Sequence, residues 1–268
     1  MIVVTAATGE FGRLVVDSLV NRVPAGEVAV AVRNPGKAED LAGRGVQIRF
    51  GEYDEPGSLR EAFAGVDRLL FISSPDIGAR EDQHRNVVTA ARDAGVGLLV
   101  YTSGLGADVI DEGVLGEHHA TELLIGDSGL PHTFLRHPIY SDFFIHPGLR
   151  AAVEAGELTS STGGRGMNTA FRTDLADAAA TVLTSGDHAG RGYNFTGPLW
   201  TYPQLAAVLS EISGGSVSYR ELDADQGVME MIGPVIRTGG FEVQTEDLQR
   251  ILGRPATSLE DAVAAVLR

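Results

Sequence analysis

No cysteine occurs in the 268 residues, which excludes disulfides, thiolate nucleophiles and cysteine-ligated metals together. Lysine is almost absent as well: Lys37 is the only one, and arginine supplies the other basic side chains. The formal charge of −15 sets up a field that disfavours nucleic acid and anionic lipid, and no local run of bases offsets it. Aromatic residues make up only 6% of the chain. No apolar run reaches membrane-spanning length, and the opening Met1–Val4 run meets a Thr/Gly turn at once, as a first strand would and a leader would not. The expectation is a cytoplasmic protein without nucleic-acid, membrane or metal partners. Whether it forms a homodimer is left open.

What is present is an alternation. Short aliphatic or β-branched runs at Ile2 to Thr5, Val28 to Val32, Val46 to Phe50, Leu69 to Ile72, Leu98 to Thr102 and Thr133 to Arg136 read as strands. Longer amphipathic stretches fall between them, including Gly9 to Asn21, Ala79 to Ala94 and Gly116 to Gly126. Such alternation predicts a parallel sheet covered on both faces. After Arg136 the pattern loosens, with a short helix at Leu149 to Glu154, a helix from Thr173 as its cap to Leu183, a strand at Tyr193 to Phe195, and a helix at Tyr202 to Ile212 capped by Thr201. Residues 1–145 with 167–197 are expected to form the main α/β domain, and 146–166 with 198–268 a smaller substrate-side subdomain.

The first strand runs into Thr5-Ala6-Ala7-Thr8-Gly9-Glu10-Phe11-Gly12 and then a helix. A dinucleotide pyrophosphate needs bare N–H groups at a helix N-terminus, and Gly9 and Gly12 suit close phosphate approach and helix packing. An ordinary tight turn would use the same glycines. The second strand ends Val30-Ala31-Val32-Arg33, without the acid that would hold a ribose 2′-hydroxyl. Arg33, with Lys37 a turn further on, offers cations for a 2′-phosphate and so favours NADP(H); two solvated cap charges would look the same. The fold class is therefore α/β, a Rossmann-type doubly wound parallel sheet with a small C-terminal substrate-side subdomain.

Several motifs, in order along almost the whole chain, carry a resemblance. They are Val32-Arg33-Asn34-Pro35 with Lys37-Ala38, Leu70-Phe71-Ile72-Ser73-Ser74, Gln83-His84-Arg85-Asn86-Val87, Ala94-Gly95-Val96 before Tyr101-Thr102-Ser103, and Asp127-Ser128-Gly129 before Leu135-Arg136. The chain resembles the NmrA-like, atypical short-chain dehydrogenase/reductases, above all the type 2 NAD(P)H:quinone oxidoreductases and triphenylmethane reductases. That resemblance implies that Ala7, Thr8, Gly9, Glu10, Phe11 and Gly12 cradle the pyrophosphate and that Arg33 meets the 2′-phosphate. It further implies that Glu52 and Tyr53 lie near the adenine, while Ser73, Ser74, Pro75, Thr102 and Ser103 line the nicotinamide side. Two departures stand out: Ala6 replaces the family's first loop glycine and would be strained at positive φ, and the acid Glu10 sits at the pyrophosphate turn. The stretch from about Asp223 to Val243 is also shorter than in the quinone reductases.

Ordinary members of the wider group use a Tyr-x-x-x-Lys pair, in which the ammonium lowers the phenol's pKa. No tyrosine here has a lysine four residues on, and His118-His119-Ala120-Thr121-Glu122 occupies the expected slot. The adjacent histidines lack metal-ligand spacing and read equally as solvent-facing helix residues. Hydride acceptors that need no strong acid, such as quinones and other flat electrophiles, fit this lack, with catalysis reduced to holding two rings face to face. His137, Tyr140, Phe143 and Phe144 are the candidates for stacking or orienting an aromatic or quinone acceptor, although the two phenylalanines read equally as core. No catalytic residue is assigned. The competing functions are a non-enzymatic NADP(H)-binding sensor and a tailoring reductase for one aromatic metabolite.

Overall fold

A computed structural model describes residues 1–76, 78–224, 227 and 229–268. The chain divides into two compact units, residues 1–137 with 175–195 and residues 138–174 with 196–268. Residues 138–145, 167–174 and 196–197 thus fall in the second unit and not, as expected, in the first. The reason is local pairing: Tyr140 bridges to Ala170, and the Ser141 amide donates to the Ala170 carbonyl.

The first unit is built on a seven-stranded parallel sheet. In chain order it contains β1 (Ile2–Thr5), α1 (Glu10–Val20), β2 (Val28–Val32), α2 (Glu39–Ala42), β3 (Gln47–Phe50), α3 (Pro56–Ala62), β4 (Arg68–Phe71), α4 (Arg80–Asp93), β5 (Leu98–Gly104), α5 (Gly113–Asp127) and β6 (His132–His137). After an excursion through the second unit, α7 (Arg172–Thr184) leads back to β8 (Arg191–Asn194). The strand order β3-β2-β1-β4-β5-β6-β8 places the reversal of direction between β1 and β4, the switch point beside which open α/β sheets bind their ligands. Every residue of β1 and β2 is buried, as expected of β-branched strands covered on both faces. Phe63, Phe71, Val87, Leu99, Tyr101 and Ile125 fill the core between the sheet and α3, α4 and α5. The strands lie where the β-branched runs put them, to within one or two residues; α3 is an addition.

The second unit has its own core around Phe144, Met167, Trp200, Leu205, Leu209 and Ile236. Its elements are α6 (Leu149–Ala155), β7 (Glu157–Ser160), α8 (Tyr202–Ser213), β9 (Ser218–Glu221), α9 (Met229–Arg237), α10 (Asp247–Leu252) and α11 (Leu259–Leu267), with β7 and β9 forming a parallel pair. Thr201 caps α8 in a full capping box with Gln204. Thr173, by contrast, does not cap α7. The helix starts a residue earlier, and the Arg172 amide donates to the Asp142 carboxylate at 3.0 Å. Among the described residues no helix is long and apolar enough to cross a membrane.

Candidate functional site

The turn after β1 is shaped by two backbone requirements. Ala6 adopts φ 49°, the left-handed region that the sequence flagged as the strained alternative, at a cost of about 1–2 kcal/mol for a residue with a Cβ. Its carbonyl accepts from the Gly9 amide at 3.1 Å and its own amide donates to Ala31 at 3.2 Å, so sheet and turn together hold it there. Gly12 is the position where α1 presses on this turn: a Cβ would stand 2.6 Å from Ala7 Cα and 2.8 Å from the Ala6 oxygen. Gly9 differs, since a Cβ there would meet only the Ala6 oxygen at 3.4 Å. As N-cap it brings no side chain to the first turn of α1, which leaves that positive end open to an anion. Thr8 is half-buried, Phe11 is buried beneath the turn, and Glu10 is exposed at the first helical position.

At the end of β2, Arg33 is exposed and has no acidic partner among the described residues. Lys37 follows on a 3₁₀ turn from Pro35 to Ala38, also exposed. Arg13, which sequence reasoning passed over, reaches this corner from α1, but its guanidinium is already spent on the Asp40 carboxylate at 2.5 Å and the Lys37 carbonyl at 2.7 Å. A Gly-Arg pair with no acid after β2 was the only available signal for it. Glu52 turns back on its own loop, accepting from the Tyr53 amide at 2.9 Å. The Tyr53 phenol points inward, donating to the Ile72 carbonyl at 2.7 Å and lying 2.6 Å from the Thr5 hydroxyl. Burial raises its pKa, and the ring packs edge-on against Phe71, so the Tyr53 hydroxyl ties β1 to the end of β4.

The loop after β4 is pinned. Ser73 N–H donates to Thr102 Oγ1 at 2.9 Å, Ser74 N–H donates to His84 Nε2 at 3.0 Å, and Arg80 Nε donates to the Ser74 carbonyl at 2.9 Å. Pro75 is exposed at its tip. Ser103, near the end of β5, has a buried hydroxyl with no hydrogen-bond partner among the described residues.

The helix that carries the Tyr/Lys slot turns an unexpected face inward. His118, Thr121, Glu122 and Ile125 are its buried residues, whereas Leu123 is exposed. His118 is therefore not the solvent-facing residue that the sequence allowed. Its Nδ1 lies 2.7 Å from the Tyr101 hydroxyl, and burial, with the Arg80 charge, pushes its pKa down to about 4. Glu122, at the place of the lysine, is held by Arg136 through two parallel bonds of 2.9 and 2.7 Å, and a third Arg136 nitrogen meets Asp108 at 3.0 Å. His119 sits half-buried with Nδ1 2.7 Å from the Ala107 carbonyl.

Of the ring-stacking candidates, His137 closes β6 with its ring buried edge-on to Phe11 at 5.1 Å and stacked on Phe195 at 6.0 Å. Protein rings already occupy the places proposed for an acceptor, and burial pushes its pKa down to about 3. In the second unit, Phe144 belongs to the core against Trp200, which corrects its candidacy. Tyr140 and Phe143 are brought together, stacked at 6.2 Å with 16° between their planes. The Arg172 guanidinium lies 4.6 Å from one ring and 4.9 Å from the other, a cation that no sequence pattern announced. Burial pushes the Tyr140 phenol up to about 12. The same unit contains a cavity of about 370 Å³ lined by Ser141, Thr169, Phe171, Trp200, Gln204 and Leu259 among others.

A model of the NAD(P)H-binding family matches residues 6–186. Quinone oxidoreductase 2 of Escherichia coli is 38% identical, with 98% of each chain covered. The solved structure of Citrobacter sp. triphenylmethane reductase complexed with NADP(H) superposes with a TM-score of 0.93 at 38% identity, over 99% of this chain and 100% of that one. NADPH-dependent quinone oxidoreductase from Escherichia coli, complexed with NADPH, gives 0.90 at 36% identity over the whole of both chains. A seven-stranded parallel sheet, a glycine turn at its switch point and likeness along the full length to these reductases have one reading: the chain belongs to the NAD(P)H-binding, NmrA-like atypical short-chain dehydrogenase/reductases.

Proposed function

We propose that this protein is an NADPH-dependent reductase that passes hydride to a quinone or a similar flat electrophile without a Tyr/Lys catalytic pair. The observation that carries the acceptor class is Glu122, a carboxylate held by Arg136 where a lysine would have to stand. No ammonium is available there to acidify a phenol, and the nearest buried tyrosine, Tyr101, has its pKa raised by burial instead. An acceptor whose reduced form is a stabilised anion needs no such acid. The names of the relatives, a quinone oxidoreductase and a triphenylmethane reductase, support the same class.

The residues fit NADPH. The uncapped first turn of α1, opened by Gly9, can take the pyrophosphate on its amides, with Ala7, Thr8, Glu10, Phe11 and Gly12 as the surrounding turn. Arg33, free of acidic partners among the described residues, takes the 2′-phosphate with Lys37 beside it. Ser73, Ser74, Pro75, Thr102 and Ser103 form the nicotinamide side, where the unpartnered Ser103 hydroxyl is the group with most to gain from a ligand. When bound, the cofactor supplies a hydride; the protein's part is to orient, exclude water and stabilise charge. Tyr140 and Phe143 offer a stacked pair to a flat acceptor, and the second unit, residues 138–174 with 196–268, serves the substrate side.

Following NADPH absorbance with and without 1,4-benzoquinone tests the reading. Rapid oxidation that depends on the quinone is expected. NADPH that binds but is oxidised by neither quinones nor cationic dyes would mean a nucleotide sensor.

A further inference from the structure

A histidine enclosed in a helix face of an α/β core needs a reason. The row beside His118 is fully committed. Ser74 N–H donates to His84 Nε2, so the His84 hydrogen is on Nδ1, 2.8 Å from Thr121 Oγ1, and the Thr121 hydroxyl gives its own hydrogen to the Glu117 carbonyl at 2.9 Å. His118 is committed on one side only, through Nδ1 to Tyr101. Its other edge lies toward Gly104, where an added Cβ would come within 3.4 Å of His118 Cδ2, and Nε2 has no hydrogen-bond partner among the described residues. The glycine makes room for Leu115 of α5, whose Cδ2 would stand 2.6 Å from that Cβ, and the His118 edge lies beside it at the carboxyl end of β5. On the same strand face as Tyr101, Ser103 also ends in an unpartnered hydroxyl.

We propose that Tyr101 donates its phenolic hydrogen to His118 Nδ1, which places the ring hydrogen on Nε2, and that this N–H stabilises the oxyanion formed on a quinone as it takes up hydride. The role rests on the reductase reading above. In the step, the hydride pair adds to the conjugated quinone, the displaced π electrons come to rest on oxygen, and water then protonates the hydroquinone anion. His118 keeps its hydrogen throughout. It is a neutral donor and not an acid, because burial and Arg80 hold it uncharged at neutral pH and Tyr101 is a poor proton source. The titratable and charged groups facing it are Arg80 and His84 on α4, Tyr101 on β5 and His137 on β6, and both other histidines are pushed down to about 3 by burial. This cluster therefore adds no ionisation to the quinone rate between about pH 5 and 8.

Steady-state kinetics of 1,4-benzoquinone reduction in the NADPH-loaded enzyme test the role. His118→Ala is expected to lower kcat and kcat/KM together by about 10²-fold, the effect of removing one oxyanion donor, with NADPH affinity within threefold. His118→Gln, which restores an N–H, recovers part of the loss. A cationic triphenylmethane dye takes hydride at carbon and forms no oxyanion, so its rate falls far less than the quinone rate. Because His118→Ala can disturb the core, ¹⁵N NMR on the ligand-free wild type provides a second reading: neutral His118 with its hydrogen on Nε2 from pH 5 to 8, shifted toward Nδ1 in Tyr101→Phe. A hydrogen on Nδ1 in the wild type, an unchanged kcat in His118→Ala, or a quinone rate that titrates with His118 overturns the role and leaves the reductase standing. A wild type inert to quinone and dye alike overturns both.

Discussion

Acid should unfold this protein earlier than its carboxylates alone would require. His84, His118 and His137 are buried as neutral rings in the first unit, with folded pKa values pushed down to about 3, 4 and 3 by burial and, for the first two, by Arg80. In the unfolded chain each titrates near 6.5. The folded values lie below the unfolded ones, so a unit or more above that pH the three contribute almost nothing to the pH dependence of stability, and as pH falls through it the unfolded state binds protons that the folded state refuses. At pH 5.5 each histidine then withdraws RT ln(1 + 10), about 1.4 kcal/mol, and the three together about 4 kcal/mol, against a total stability of about 5–15 kcal/mol for a typical domain. The loss continues as pH falls, until the folded forms themselves protonate between pH 4 and 3. Urea denaturation followed by far-ultraviolet circular dichroism at pH 7.5, 6.5 and 5.5 measures it. Stability should fall by about 1 kcal/mol over the first interval and by about 3 kcal/mol over the second, with His84→Gln and His118→Gln each removing about a third of the fall. A stability that stays level to pH 5.5, or falls as steeply between 7.5 and 6.5, would refute the claim that these rings are enclosed as neutral groups.

Five further substitutions have definite expected outcomes. Arg33→Ala should weaken NADPH binding at least tenfold and leave NADH binding within twofold, measured by fluorescence titration; equal losses for both would remove Arg33 from the 2′-phosphate. Gly9→Val should abolish NADPH binding with thermal stability nearly intact, whereas Gly12→Ala should cost about 1–3 kcal/mol of stability because its Cβ meets backbone that cannot step aside. Ala6→Gly should raise the melting temperature by about 1–3 °C by relieving the left-handed strain, and a drop of similar size would show that the methyl's packing outweighs it. Thr201→Ala should cost about 1 kcal/mol by breaking the capping box of α8, with nucleotide affinity unchanged.

The sheet was legible because its strands are unbroken β-branched runs, and the tight turn after β1 because glycines fall where strand gives way to helix. Ala6 could be read only conditionally: the sequence said that positive φ would strain it, and the hydrogen bonds to Ala31 and Gly9 impose that φ. The buried face of α5 escaped notice for a chemical reason. His118, Thr121, Glu122 and Ile125 keep perfect helical spacing, yet three of the four are polar, and a hydrophobicity pattern points to Leu123 and Leu124 instead. Phe143 and Phe144 show the limit of composition. They are neighbours of one type on a tight turn, one half exposed and stacked on Tyr140, the other sealed in the core. Nor could alternation alone reveal that β7 and β9, each of four residues and far apart in sequence, pair with one another.

Lys37 gives the protein an unusual chemical address. Its amine is the only one on any side chain, it is exposed, and the α-amino group of Met1 is engaged by Asp67. An amine-directed dye, cross-linker or resin therefore meets a single side-chain position, on the turn beside Arg33. A fluorophore coupled there needs no engineered cysteine and stands within a few residues of where the 2′-phosphate would arrive. Any procedure that fixes the protein through its lysine will for the same reason attach it by the turn that follows β2.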